Sequence, residues 1–333
     1  MRGAGLDAIA SRIRAASDIF LFTHEFADGD ALGSVVALTL YLQAMGKTVH
    51  AFVPGQIQSV YRFLAADELL NTMPAVQATA HIGTAQVTCL SADAADVDRL
   101  GEWKSLFLSG AEHLVIDHHE TNAGFGEVFA IDGSASSCCE ILFDLFNLID
   151  PQFIDARIAS ALYTGLVADT GSFQYANTRA LSLVHGAQLV ELGASPDEIS
   201  RCIYESKPYG SVWLMAASVA ASRLMYGGQV VVSYVTRTML EDSGALDEDT
   251  EGITDELRRI AGTKAVVLFK EASDGSVKVS FRGKYGFDVK RIATAFGGGG
   301  HVLAAGCTIN SDLGEAEVRI LAELDRYLGP SRT

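Results

Sequence analysis

The sequence from Asp18 to Gly55 admits few folds. Asp18-Ile-Phe-Leu-Phe-Thr23 is short, aromatic and β-branched, with polar residues at its borders, the pattern of a buried strand. Ala31 to Met45 carries apolar residues at helical spacing, and Gly46 stands where a helix-terminating glycine belongs. Thr48 to Val53 reads as a second strand, closed by Pro54-Gly55. Strand, helix and strand over so short a span make a βαβ unit, with a right-handed crossover and parallel strands. Between the first strand and the helix lies the stretch HEFADGDALGS, His24 to Ser34, which crowds one histidine and two aspartates into seven residues. A helix start needs one capping Asp. A second acid and a histidine require another explanation.

The arrangement recurs along the chain. Gln86 to Ala92 reads as a strand running into Asp93, and His113 to Ile116 as a strand running into Asp117-His118-His119, with Arg99 to Leu108 a helix or turn between them. Helical patterns follow over 138–149, 155–168 and 178–192. The first half is therefore an α/β domain with a parallel sheet covered by helices. In such a sheet the carboxyl ends of the strands share one edge, where open α/β sheets bind ligands. Three segments thus deliver His and Asp to one rim, and Asp169, at the end of the 155–168 pattern, joins them if its helix packs alongside.

Each residue alone has a plain structural explanation. Asp28 or Asp30 caps the helix, His118 is a core histidine, and Asp117 is a turn residue. Together they predict several carboxylates converging in low dielectric, which is costly without protons or cations. A metal centre resolves this. Mixed imidazole and carboxylate ligands suit Mn²⁺, Zn²⁺, Fe²⁺ or Co²⁺, and the excess of oxygen favours Mn²⁺. Six candidate ligands (His24, Asp28, Asp30, Asp93, His118 and Asp169) exceed one tetrahedral ion, so two divalent ions sharing carboxylates are expected. Ions about 3.5–4 Å apart are a common device for phosphate-ester hydrolysis.

At 333 residues two domains are expected. A first domain is expected over 1–190, a connector over 191–212 (where ASPDEISRCIYESKPYG carries prolines 196 and 208) and a second domain over 213–333. In the second, Val230–Val235, Ala265–Lys270 and Val277–Phe281 read as strands, SDGS at 273–276 as a hairpin turn, and 247–260, 287–296 and 313–328 as helices. That makes a smaller α/β domain with a mixed sheet, and the active site is expected in a cleft between the two. No run approaches the roughly 18 apolar residues of a membrane span, and MRGAGLDAIASRIRAA lacks a signal-peptide core, so a cytoplasmic location and no membrane partner are expected. Five cysteines without a CxxC pair read as small core residues in a reducing compartment, although Cys138-Cys139 also invites reading as a redox or metal pair.

The net charge of −16 repels long polyphosphate, which argues against double-stranded nucleic acid as a partner. One exception lies between Lys278 and Arg291, where Lys278, Arg282, Lys284, Lys290 and Arg291 face a single acid, Asp288. A solvated basic face explains such a run, but here it directly precedes Gly297 to Gly300 and His301. Glycines let backbone N–H groups approach an anion, and Ala304-Ala305-Gly306 reads as a helix start that would add its dipole. Gly298, Gly299, Gly300 and His301, with Arg282, are the candidate substrate-binding residues. No Gly-Lys-Ser/Thr follows, so this is not a Walker loop.

These residues resemble the DHH phosphoesterase family, in its branch of RecJ-like nano-RNases and pAp phosphatases. HEFADGDALGS is similar to the family's first motif, His-x-x-Pro-Asp-Gly-Asp-Ala-x-Gly-Ser; SADAADVDRL to the second; IDHHETN carries the Asp-His-His signature; GLVADTGSF resembles the fourth. SFRG followed by GGGGHVLAAG resembles the DHH-associated C-terminal domain. The resemblance covers most of the chain, and five motifs in order are highly specific. It implies one ion held by His24, Asp28, Asp93 and Asp169 and another by Asp30, Asp93, His118 and Asp169. Asp117 would orient the histidines, His119 would face the scissile phosphate, and Arg282, the glycine loop and His301 would hold the nucleotide. Ala27 departs from the pattern: it replaces the proline that would stiffen the loop.

The implied reaction is in-line attack on phosphorus by a metal-bridging hydroxide. The implied substrates are very short oligoribonucleotides and 3′-phosphoadenosine 5′-phosphate. A phosphodiesterase for cyclic dinucleotides or their linear products would use the same metals. A non-catalytic nucleotide-binding regulator is the rival from another class. A homodimer is left open.

Overall fold

A computed structural model describes residues 2–250 and 252–329, and these divide into two compact units between Ser206 and Lys207. In the first unit five strands, β1 (Asp18–Phe22), β2 (Thr48–Phe52), β3 (Thr88–Ala92), β4 (Glu112–Asp117) and β5 (Val128–Ile131), form a sheet of order β2-β1-β3-β4-β5. All are parallel, with Phe22 beside Ser91 and Ala92 beside Ile116. The strand order reverses between β1 and β3, the place where an open α/β sheet leaves a crevice at its carboxyl edge. β5 was not anticipated: four residues of half-buried edge strand carry too weak a pattern.

The longer helices of this unit include α1 (Arg2–Ala15), α2 (Gly29–Ala44), α3 (Cys138–Ile149), α4 (Ala156–Thr170), α5 (Ala180–Glu191) and α6 (Pro196–Tyr204), and shorter ones lie at Ala66–Leu69, Ala75–Ile82 and Lys104–Phe107. The main core packs α1 to α4 against the sheet through Ile13, Leu21, Val35, Leu38 and Ile116, all buried. Tyr41 of α2 stacks on Phe146 of α3 with ring centroids 3.9 Å apart. A second core on the other face gathers Phe20, Phe22, Phe52 and Phe107, so the β1 run is buried on both faces, as expected of a central parallel strand.

Two glycines set the approach of α2 to α4. A Cβ on Gly33 would lie 2.5 Å from the Ala161 carbonyl oxygen, and one on Gly165 would lie 2.3 Å from Cys139 Sγ and 2.5 Å from Asp30 Oδ1. Their absence of side chains lets α4 run against α2 and carries Asp169 to the carboxyl edge of the sheet. The 155–168 pattern is thus a helix packed alongside.

The second unit has a mixed sheet of order β10-β11-β9-β8-β7-β6, built from β6 (Arg223–Met225), β7 (Val230–Val235), β8 (Ala265–Glu271), β9 (Val277–Gly283), β10 (Gly299–His301) and β11 (Ala304–Ile309). Only β7 and β8 pair in parallel. Helices α7 (Tyr209–Ala220), α8 (Ile253–Arg258), α9 (Val289–Thr294) and α10 (Leu313–Leu328) belong to this unit. The helix expected over 247–260 is a 3₁₀ turn, Asp247–Thr250, followed by α8, and residue 251 of that span lies outside the described residues. SDGS does form the hairpin between β8 and β9: Ala272 N donates to Ser276 O at 2.8 Å, and Gly275 has φ +83.

The helix start expected at Ala304 is overturned. Ala304–Ile309 is β11, paired antiparallel to both β10 and β9, with Ala304 opposite Arg282 and Gly306 opposite Ser280. Small residues permit either state, and neighbouring strands decide it. No helix dipole therefore supports the glycine run. Among the described residues no helix is long and apolar enough to cross a membrane.

Candidate metal centre

The loop after β1 serves two purposes at once. Asp28 is the N-cap of α2, its Oδ1 accepting from Asp30 N and Ala31 N at 3.1 Å each. The same oxygen lies 4.0 Å from His24 Nε2. The capping and ligand readings of this acid do not exclude one another, because a carboxylate has lone pairs for both. His24 is buried, with Nδ1 2.7 Å from its neighbour's carbonyl, Glu25 O, and Nε2 3.7 Å from Asp93 Oδ2. Ala27 is buried in the core, and the loop it leaves unstiffened is held by Asp28 and by the Glu25 N to Arg99 O hydrogen bond of 2.7 Å.

Asp30 is fully buried and seated on another element. Its Oδ2 accepts from Cys138 N at 2.5 Å and its Oδ1 from Cys139 N at 3.0 Å, the first two amides of α3. A helix N-terminus with free N–H groups is a natural seat for a carboxylate. This accounts for the cysteine pair: both are small buried residues at a crowded helix start, their thiols pushed well above the ordinary range by burial and by nearby acids.

Asp93 follows β3 in the left-handed region at φ +57, tied by its N–H to Ile116 O at 3.0 Å. His118, just past β4, has Nε2 3.1 Å from Asp169 Oδ2, 3.5 Å from Asp93 Oδ1 and 3.8 Å from Asp30 Oδ2. Three sets of ligand atoms each fall within 4.8 Å: His24, Asp28 and Asp93; Asp30, His118 and Asp169; and Asp93, His118 and His119. All six sequence-derived ligand candidates are therefore brought together, and Asp93 and His118 each belong to two sets.

The fit to a cation rests on donor chemistry and on one orphaned atom. Asp93 Oδ1 is buried and, among the described residues, receives no hydrogen bond. An unmatched buried carboxylate oxygen is expensive. Charge states indicate the same need. Burial alone would depress His24, but Asp93, the Glu25 carbonyl and Asp28 outweigh it and carry the imidazole up to about 9. Burial likewise opposes His118, yet Asp169, Asp30 and Asp93 raise it to about 10. Asp30 is pushed well above the carboxylate range by burial and then by Asp93 and Asp169. The cluster thus holds protons where positive charge is wanted, and a divalent cation would displace them.

Beside the cluster, fully buried Asp117 accepts from His119 Nδ1 at 2.8 Å and, through its other oxygen, from Asn122 Nδ2 at 2.8 Å. Asn122 Nδ2 also reaches Ala94 O at 3.0 Å, tying the β4 loop to the β3 loop. Among the described residues Asp117 thus holds His119, while His118 is surrounded by the cluster acids. Asn122 was not singled out from the sequence, although it stands in the IDHHETN motif, five residues after Asp117.

The substrate candidates lie in the second unit. Arg282 is on β9, half-buried, with Nη1 donating to Phe281 O at 3.2 Å and Nε 4.0 Å from Asp255. Two of the glycines are demanded by the hairpin. A Cβ on Gly298 would sit 2.1 Å from Gly306 O, and Gly300, at φ +133, has Ala304 O 2.5 Å from such a position. Gly299 differs: no described atom lies within 4 Å of its Cβ position, and its φ is not positive. His301 ends β10, exposed, on the edge of the sheet. An open pocket of roughly 440 Å³ beside this run is lined by Lys278, Ser280, Phe296, Gly298, Gly306 and Thr308. The basic island is not one patch. Lys284 donates to Ile260 O at 3.0 Å and Thr263 Oγ1 at 3.1 Å, and Arg291 lies 5.1 Å from the Tyr327 ring centroid.

The N-terminal domain of the DHH family matches residues 18–166, and the DHHA1 domain matches residues 227–329. The chain is 31% identical over 305 residues, 91% of its length and 88% of the relative's, to the bifunctional oligoribonuclease and PAP phosphatase NrnA of Thermus thermophilus. A crystal structure of an exopolyphosphatase-related protein from Bacteroides fragilis shares the fold, with a TM-score of 0.91 at 23% identity over 98% of this chain and 97% of that one. RecJ of Thermus thermophilus, solved in complex with Mn²⁺, superposes with a TM-score of 0.54 at 15% identity over 97% of this chain and 54% of that one. The chain belongs to the DHH phosphoesterase family, in its NrnA-like branch.

Proposed function

We propose that this chain hydrolyses very short oligoribonucleotides and 3′-phosphoadenosine 5′-phosphate, using two divalent cations, preferably Mn²⁺, held by His24, Asp28, Asp30, Asp93, His118 and Asp169. The observation that carries the reading is the pair of triads, His24, Asp28 and Asp93 beside Asp30, His118 and Asp169, with an orphaned Asp93 oxygen 3.5 Å from His118 Nε2. The name of the Thermus relative supports the substrate class. Bound there, the cations would supply an activated water and offset charge on the phosphoryl oxygens.

The chain's own residues do the rest. Asp93 reaches from the first triad to His118 of the second, 3.5 Å away, and Asp30 is kept from swinging by the α3 amides. Asp117 fixes Nδ1 of His119, which leaves Nε2 to face a phosphoryl or leaving oxygen. The Asp117 bond raises the His119 pKa, against an opposing effect of burial, so the ring is suited to donating a proton. In the second unit Arg282 and the backbone at Gly299 are assigned to substrate phosphate. Gly299 is the position at which the hairpin gives no reason for glycine, so close approach of a ligand supplies one.

The test is a product-resolved time course. Chelator-treated protein is recharged with Mn²⁺ and offered 3′-phosphoadenosine 5′-phosphate, RNA of two to five nucleotides and a cyclic dinucleotide. Turnover of the first two, abolished by chelation, is expected. Dominant turnover of the cyclic dinucleotide would reassign the substrate. Nucleotide binding without turnover of any of them would make the chain a sensor and reject the enzymatic reading.

A further inference from the structure

The position of Asp30 depends on the first turn of α3, whose amides hold its carboxylate. A polar network outside the cluster fixes that turn. Glu140, the third residue of α3, is 1% exposed; its Oε2 accepts from Ser136 Oγ at 2.5 Å and Ser182 Oγ at 2.7 Å, and its Oε1 from the Arg179 guanidinium. Arg179 also donates to Ser134 Oγ at 3.1 Å. Asn177 Nδ2 donates to Ser136 O at 3.0 Å and to Asp169 O at 3.1 Å. The strip before α3, its first turn and the entry to α5 are thereby tied to two candidate ligands on different helices.

Glu140 is buried and the Arg179 side chain 32% exposed, and an ion pair with a buried carboxylate is a poor device for stability alone, since desolvation offsets much of its attraction. The helix cap does not require it, because Ser137 Oγ already accepts from Glu140 N at 3.0 Å. What a forked, hydrogen-bonded pair supplies and apolar packing does not is direction.

We propose that Glu140 and Arg179 are positioning residues of the metal centre. They hold the first turn of α3 where its amides meet Asp30 and, through Ser136 and Asn177, fix the end of α4 that carries Asp169. This rests on the reading of the rim as a cation site.

The test uses the full chain and Mn²⁺ alone as probe. Glu140→Leu with Arg179→Met replaces the pair by apolar side chains, and Ser136 and Ser182, already 2.9 Å apart, keep each other as partners. Three quantities are read: the melting temperature without metal, Mn²⁺ affinity by calorimetry, and kcat against KM. The expected result is a melting temperature close to that of the unmodified chain, Mn²⁺ affinity reduced about 10- to 100-fold, and a fall in kcat with KM unchanged. Arg179→Lys, which keeps charge and loses the fork, should fall between. Unchanged Mn²⁺ affinity in the folded double variant overturns the positioning role and leaves the cation reading standing. Failure of the unmodified chain to bind Mn²⁺ overturns the cation reading and the proposal with it. If the double variant does not fold, Arg179→Lys and Asn177→Ala are read by the same criterion, and unchanged affinity in both rejects the proposal.

Discussion

Asp28 shows how one side chain can serve two ends at once, capping a helix through the same oxygen that faces His24 in the candidate cation site. The acids that end strands were legible in the sequence, because a strand followed by Asp or His places that residue on the sheet rim whatever else happens. Asn122 and the α3 amides were not. They act across 28 and 108 positions of sequence, and no local pattern encodes such contacts. Asn122 carries a direct prediction. Without its amide, Asp117 loses a partner and His119 its fixed orientation, so Asn122→Ala should lower kcat about 10- to 100-fold with little change in KM. Steady-state kinetics on 3′-phosphoadenosine 5′-phosphate decide this, and a rise in KM alone would contradict it. Glu140 carries another. Burial alone would lift its carboxyl above the ordinary 4.5, but Ser136, Ser182 and Arg179 outweigh burial and hold it lower. A depressed carboxylate stabilises the fold fully above its unfolded pKa and loses that contribution as pH falls through the folded value. The stability gap between the chain and Glu140→Gln should therefore be constant from neutrality down to about pH 5 and close below it. Urea unfolding across that range measures the gap, and a gap that widens in acid would refute the assignment.

Helix α4 brings Asp169 to the rim only because α2 lets it come close. A methyl at position 165 would meet Cys139 Sγ and Asp30 Oδ1 well inside van der Waals contact. Gly165→Ala should therefore destabilise the chain by about 1–3 kcal/mol and weaken Mn²⁺ binding as well, since it presses on Asp30 itself. Thermal unfolding with and without Mn²⁺ separates the two effects. Wild-type behaviour in both would mean that the helices adjust without strain. The glycine hairpin offers the complementary case. Gly300→Ala should cost more than about 1 kcal/mol of stability, because its backbone conformation and the Ala304 carbonyl both exclude a side chain. Gly299→Ala should leave stability unchanged and raise KM, if ligand approach is what keeps that position bare. Alanine favours a helix start at Ala304-Ala305 by propensity, and pairing with β10 and β9 overrides that preference. Pairing with β9 is a tertiary fact that the local sequence does not state.

At the scale of the whole molecule, the parallel and mixed sheets were readable from strand and helix patterns, since burial on both faces of β1 and the hairpin turn at SDGS leave distinct signatures. The net charge of −16 is a property of the chain as a whole and acts on substrates by length. A dinucleotide carries few charges and meets only the groups that grip it, whereas a longer RNA projects phosphates over an acidic surface. That repulsion is screened by salt, with a Debye length of about 10 Å at 0.1 M. Turnover should therefore fall from dimers to RNA of about ten nucleotides at low salt. The ratio of long- to short-substrate kcat/KM should rise as salt is raised from about 20 to 200 mM. A preference set by steric exclusion would be indifferent to salt. Competition assays with mixed-length RNA at several ionic strengths distinguish the two, and a salt-independent ratio would reject the electrostatic origin of length selection.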